Sequence, residues 1–496
     1  MDIKISSSGA GPQRTNDDND STDVRPSIPP SEKMRAARNE QHAPSDALRK
    51  DAITALATCV TRQECVAALT MGQRAFSHSN ESTHNEEIDL AADAALCRLL
   101  SHLVLKELYV DDFDDRPKGK SLPEEILRTC QLFEMVYHCS KAQITSSFHR
   151  LGPDLLRILC HIVMHEIESY KSSLPNPEFR DVHRSSYESE PPGSMTPRRD
   201  INKDTCLQSV TRILFLFARV QSLTETMARH KKLISLCISL LQYPIDVVSF
   251  EAQHNILFML ANMACCRSVV LTLSSYDRLM DTVIHAALQN RDIVTHKTTW
   301  ADYYQPLRFH CTAFRCLLNL SHPKENKVNM VEKDELLRSI AYTISMQTSR
   351  WVGVPQAIHD MAAQTRRFAM STLRNIASAP AEQKYRLCTF SNGILLDSLC
   401  SAAQNVDDPV AKEKSFAVLF NLVCSDTAEI LILHPQIMEL LTVAVAAPRP
   451  SPTNVGDNSR MELADMPYQS LVTLSQCATH LSHDARVRLN SIFQFM

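Results

Sequence analysis

The sequence predicts an all-α protein built as an array of stacked helical repeats, and three observations carry that prediction. A helix pattern centred on RFHCTAFRCLLNL, residues 308–320, returns twice downstream and once, more loosely, upstream. Beyond residue 45, the long segments outside two Pro-rich breaks fit a helical period. The 496 residues include only 9 glycines, and neither GxGxxG nor GxxxxGK followed by Ser or Thr occurs, which argues against a nucleotide-binding α/β fold.

Counted from Asn319, the pattern has Ala313 six residues before, Leu317 two before and Leu320 one after. RRFAMSTLRNI repeats it with Ala369, Leu373, Asn375 and Ile376, and EKSFAVLFNL with Ser415, Leu419, Asn421 and Leu422. NILFMLANM is looser, with Leu260, Asn262 and Met263 but bulky Ile256 at the small position. Steps of four and three put the small residue, the leucine and the last apolar residue on one helix face, so these three positions are structural. Upstream, SVTRILFL has Ser209 and Ile213 in register but Phe215 at the polar site; downstream, YQSLVTLSQC has Ser470 and Leu474, with Gln476 in place of asparagine. The polar positions 215, 262, 319, 375, 421 and 476 are separated by 47, 57, 56, 46 and 55 residues. The shorter intervals are those of stacked helical repeats, and the longer ones imply insertions of about ten residues.

Taken in order, residues 1–45 are rich in Ser, Asp, Pro and Asn and read as a disordered tail. The basic cluster at Lys33, Arg35 and Arg38 within it reads as solvated. Residues 46–170 are helical by spacing and form the expected N-terminal part of the solenoid. DDFDD at 111–115 lacks the glycine and the distant glutamate of an EF-hand and reads as an acidic turn. Residues 171–201 form a Pro/Ser/charged linker or regulatory insertion. There Thr196-Pro197-Arg198-Arg199 resembles the site of proline-directed kinases and makes Thr196 a candidate for phosphorylation. Residues 202–446 carry the repeats, 447–461 form a second Pro-rich loop with Ser451-Pro452 as another candidate phosphorylation site, and 462–496 read as C-terminal capping helices.

A hydrophobic content of 44% supports a large core. The formal net charge of −4 gives no overall pull towards nucleic acid or anionic lipid, so a charged site must be local. The 16 cysteines lie in apolar helical runs, as at Cys97, Cys160, Cys237 and Cys424, and the N-terminus has no apolar signal core. They read as reduced, buried thiols of a cytoplasmic or nuclear protein. The strongest apolar run, ILFLF at 213–217, is bounded by Arg212 and Arg219, and no membrane span is expected.

Chemistry finds little footing. His161 and His165 share a helix face but lack HExxH and a third ligand, Cys265, Cys266, Cys311 and Cys316 form no CxxC site and read as core, and no nucleophile elbow or kinase motif occurs. No catalytic residue, metal or cofactor is expected.

Small residue, three residues, leucine, any residue, asparagine, apolar: the pattern resembles the third helix of an armadillo repeat over roughly residues 205–480. The resemblance implies a right-handed superhelix whose concave groove binds an extended peptide or a partner helix. It also implies that Asn262, Asn319, Asn375 and Asn421 line that groove and clamp the partner's backbone. Importin-α-like members carry tryptophan four residues before the asparagine; here Phe258, Arg315, Ser371 and Ala417 stand there, against nuclear-signal recognition. Residues sharing a face with the asparagines include Arg308, Arg315, Arg367 and Lys414, opposed by Glu251 and Glu413. This is a mildly basic groove like that of catenin-like members, whose partners are acidic or phosphorylated. Trp300 and Trp351 fall in the long intervals and are expected to pin their loops to the scaffold. The expected role is a non-catalytic scaffold or adaptor for another protein. Two other classes share the architecture: helical-repeat exchange factors of small or heterotrimeric GTPases, which a nucleotide-exchange assay separates, and structural subunits of larger complexes, which native size separates.

Overall fold

The structure is a computed structural model. It describes residues 46–59, 62–76, 124–137, 155–168, 206–243, 248–288, 300–346, 353–404, 408–446 and 458–495, with part of 91–99. Thr196, Ser451, Trp351, the DDFDD turn, the tail 1–45 and the linker 171–201 lie outside these residues. Among the described residues there is no strand.

The helices are α1 (Asp46–Thr58), α2 (Arg62–Phe76), α3 (Glu124–Tyr137), α4 (155–168) and α5 (Cys206–Phe217), followed by five three-helix units. The units are α6 (Gln221–Arg229), α7 (Lys231–Gln242) and α8 (Phe250–Ala264); then α9 (Arg267–Ser274), α10 (Leu279–Leu288) and α11 (Trp300–Leu320); then α12 (Lys324–Val331), α13 (Asp334–Ile344) and α14 (Gln356–Ile376). Next come α15 (Ala381–Thr389), α16 (Ile394–Gln404) and α17 (Pro409–Leu422), then α18 (Ser425–Leu433), α19 (Ile437–Ala446) and α20 (Asn458–Gln476), and finally α21 (His483–Phe495).

Each helix packs on its counterpart in the next unit, so the chain is an all-α solenoid of three parallel ladders. The third helices stack in the order α5, α8, α11, α14, α17, α20, and the second helices in the order α7, α10, α13, α16, α19. First helices meet as α6 with α9, α12 with α15, α15 with α18 and α18 with α21; α9 and α12 are joined by Asn326 Nδ2 donating to Ser274 Oγ at 2.6 Å. At the N-terminal side α3 packs on both α2 and α5.

The repeated pattern supplies the core. Ala313, Leu317, Leu320, Ala369, Leu373, Ile376, Ser415, Leu419, Leu422, Ile256, Leu260, Met263, Ser470 and Leu474 are all buried. Burying one such leucine contributes roughly 2 kcal/mol. The helix starts are local: Ser249 Oγ accepts from Ala252 N at 3.4 Å, Asp408 Oδ1 accepts from Ala411 N at 3.1 Å ahead of Pro409, and Pro323, Pro355 and Pro380 precede α12, α14 and α15. Between α15 and α16 the chain turns through Ser391, Asn392 and Gly393 with φ of 46°, 58° and 89°, a run of left-handed backbone that separates the two helices.

The long intervals have a different cause from the one expected. Nineteen residues of α11 and α14 precede the asparagine, against twelve in α8 and α17. Most of each ten-residue insertion is therefore two further turns at the start of the third helix, with Trp300 as the first residue of α11 rather than part of a loop. α20 is long in the same way; it begins at Asn458, inside the stretch expected to be loop to 461. α20 packs on α17 and α19, so it completes a fifth unit instead of forming part of a separate cap.

One buried group makes the core acid-sensitive. His254, 2% exposed, places Nε2 at 3.1 Å from Thr312 Oγ1, and burial, assisted by Arg308, lowers its pKa from 6.5 to about 3. Below pH 6.5 the unfolded chain takes up a proton that the folded chain excludes. Stability is therefore expected to fall by up to about 1.4 kcal/mol per pH unit from this group as pH drops towards 3. Urea midpoints against pH check this, and His254→Gln should flatten the slope.

Candidate binding ridge

All four asparagines come to the last turn of a third helix, on one ladder. There their amides join neighbouring repeats. Asn319 Nδ2 donates to Ala261 O at 2.9 Å and lies 3.0 Å from Cys265 Sγ; Asn375 Nδ2 donates to Ser321 Oγ at 2.9 Å; Asn421 Nδ2 donates to Arg374 O at 2.9 Å. Two of these acceptors are carbonyls at a helix C-terminus, where the helix leaves them without an internal donor. In the free protein, then, these donors hold the ladder together.

The basic residues are also engaged. Arg308 Nη1 lies 3.3 Å from Glu251 Oε2, between α11 and α8. The Arg315 guanidinium sits 4.7 Å from the centroid of the Phe258 ring, and Nη2 donates to Asn262 Oδ1 at 3.2 Å. Phe258 in turn meets Phe215 edge-on at 5.1 Å, so the two aromatic departures from the sequence pattern pack on each other. Arg367 reaches Asp408 Oδ1 at 3.3 Å, and Arg366, which is buried, approaches Asp408 Oδ2 at 3.7 Å. Lys414 Nζ donates to Ser371 Oγ at 2.7 Å.

Arg374, one residue before Asn375, was not among the groove residues that the sequence suggested. It lies half-buried in the last turn of α14 and has no carboxylate partner among the described residues. Burial first, then Arg374 and Arg367, depress the Lys414 pKa, and only Glu413 acts the other way. Sequence offers one signal for Arg374, a cation next to the register asparagine.

Cys265 and Cys266, expected in the core, are not there: α8 ends at Ala264, leaving Cys265 exposed and Cys266 half-buried. Both line a cavity of about 330 Å³ with Arg219, Gln221, Thr224 and Asn262. Hydrogen bonding, chiefly from Ser268, lowers the Cys266 pKa, whereas burial raises those of Cys311 and Cys316 in the core. Cys424, likewise expected buried, is half-buried. On α4, burial, Lys232 and Arg157 lower the pKa of His161. Among the described residues no single helix is long and apolar enough to cross a membrane.

Fold and ridge together define an α-solenoid of three-helix repeats whose third helices carry a row of register asparagines among cations. No family model matches the chain, and no curated protein does. Among solved structures it is similar to armadillo-repeat and related helical-repeat proteins. A designed armadillo repeat protein, YIII(Dq)4CqI, is 14% identical over 55% of this chain and 96% of that one, with a TM-score of 0.40. SYS-1 is 11% identical over 88% of this chain and 75% of its own, with a TM-score of 0.40. An engineered protein from a structural genomics consortium is 14% identical over 90% and 97%, with a TM-score of 0.43.

Proposed function

We propose that this protein is a non-catalytic scaffold or adaptor, which holds a peptide or helix of another protein along its third-helix ladder, and that the bound segment is acidic or phosphorylated. The observation that supports this reading is the group Arg367, Arg374 and Lys414 on the facing helices α14 and α17. There Arg374 and Arg367 add to burial in lowering the Lys414 pKa, Glu413 alone acts the other way, and the nearby Asp408 is shared by Arg366 and Arg367. An anion placed among them relieves that repulsion. Each repeat is packed by its neighbours before any partner arrives, so binding requires little ordering of the ladder.

Arg315 and Asn319 belong to the same ridge, but they also hold α11 to α8, and changing them mixes binding with packing. The double variant Arg374→Glu/Lys414→Glu gives up one such link, Lys414 Nζ to Ser371 Oγ, but leaves the asparagine bonds between the helices in place, so its melting is read beside its binding. Affinity purification from cells making either chain should show the wild-type partners reduced about tenfold or more in the variant, with its helicity and melting retained. Phosphatase treatment of the partners should weaken the wild-type interaction where phosphate is the recognised anion. Recovery of the same partners at the same yield by the folded variant would place binding elsewhere.

A further inference from the structure

The first helices carry a second surface. The fifth residues of α9, α12 and α15 are Leu271, Val328 and Tyr385, which are 52%, 36% and 51% exposed. In the flanking first helices the same position holds Glu225 in α6 and Glu429 in α18. The apolar row is thus three repeats long and stops at a carboxylate on either side. Its helices are held in line by the Asn326–Ser274 bond and by Arg386 Nε, which donates to Val331 O at 3.1 Å.

Cations surround the row. Arg267 and Lys324 stand one turn before Leu271 and Val328, and Lys327 and Lys384 are next to Val328 and Tyr385. Arg267, Lys324 and Lys384 have no carboxylate partner among the described residues, and Lys327 Nζ donates to Ser378 Oγ at 2.8 Å. The carboxylates on these helices are Glu325 and Glu382, while Glu332 and Asp334 beyond α12 are held by Arg386. The excess of positive charge is felt locally. After burial, which is the largest cause, Lys324 lowers the pKa of Lys327, and Lys327, Arg267 and Arg374 lower that of His322.

We propose that this row docks an acidic amphipathic helix of a partner protein. Three apolar residues spaced seven apart would sit on Leu271, Val328 and Tyr385, with carboxylates towards Arg267, Lys324, Lys327 and Lys384. Packed helices lie about 8–10 Å apart, and seven residues of helix advance about 10.5 Å. One anchor per heptad therefore meets one anchor per repeat. An extended chain covers the same distance in about three residues, and an odd step turns alternate side chains to opposite faces. The surface uses different residues from the third-helix ladder and stands whether or not that ladder binds a peptide.

The test is titration of the full chain against a dye-labelled peptide of about 21 residues with leucine at every seventh position, flanking glutamates and alanine elsewhere. Two controls have the leucines respaced by five or lysine in place of glutamate. Saturable, salt-sensitive binding of the heptad peptide is expected, about tenfold or more tighter than either control. Val328→Asp and Tyr385→Asp, both at exposed positions, should weaken it by about tenfold or more, whereas Val443→Asp, at an exposed apolar position of α19 away from the row, should leave it unchanged. Equal binding of the respaced peptide, no binding of the heptad peptide, or full binding by folded Tyr385→Asp overturns the proposal. So does a wild-type dimer in light scattering that Tyr385→Asp dissociates, since a second copy then covers the row.

Discussion

Asp408→Asn is expected to destabilise the protein by about 3–5 kcal/mol, the scale for breaking a buried ion pair from one side. Asp408 and Arg366 have side chains 4% and 2% exposed, and the same carboxylate caps α17 through Ala411 N. Asparagine keeps the capping oxygen, so this substitution reports the charge; Asp408→Ala should cost about 1 kcal/mol more through the lost cap. Arg367, with its side chain 42% exposed and the charge screened by water, contributes little to this figure. Because a repeat array need not unfold in one step, urea melts should be read beside hydrogen exchange of α14 and α17. A variant as stable as wild type in both measurements contradicts the buried pair as drawn.

Leu317→Ala is expected to cost about 2–5 kcal/mol. Leu317 is fully buried on the stripe of α11, between α8 and α14, so the cavity opens where two repeats meet. The loss should appear first as exchange of amides in α11 and its two ladder neighbours. An exposed position on the first helices, such as Val328, should tolerate alanine within about 0.5 kcal/mol. Thermal melts of the two variants give the contrast directly.

The stripe was legible in the sequence because it obeys a local rule: a small residue, a leucine and a last apolar residue at steps of four and three can only line one face of a helix. Asn262, Asn319, Asn375 and Asn421 were legible as a register, but the work their amides do was not. Asn319 binds Ala261 O and Asn421 binds Arg374 O, partners 58 and 47 residues away that only stacking brings near. The same distance hid the pairing of Arg366 and Arg367 with Asp408. Cys265 was misplaced because α8 stops without glycine or proline, so nothing in NILFMLANMACC marks where the buried face ends. The first-helix row escaped notice for a simpler reason: a single exposed Leu, Val or Tyr means nothing until Leu271, Val328 and Tyr385 are seen to recur at one position.

The third helices are of unequal length, and the surplus lies on one side. Measured from the asparagine, α11 and α14 run seven residues further back than α8 and α17, or about 10 Å. The two extended helices are neighbours in the ladder, and their added turns lie along the edge opposite the asparagines. The seam between α11 and α14 is therefore longer than the seams on either side of it, and the middle of the array is joined over more of its width than the parts that flank it.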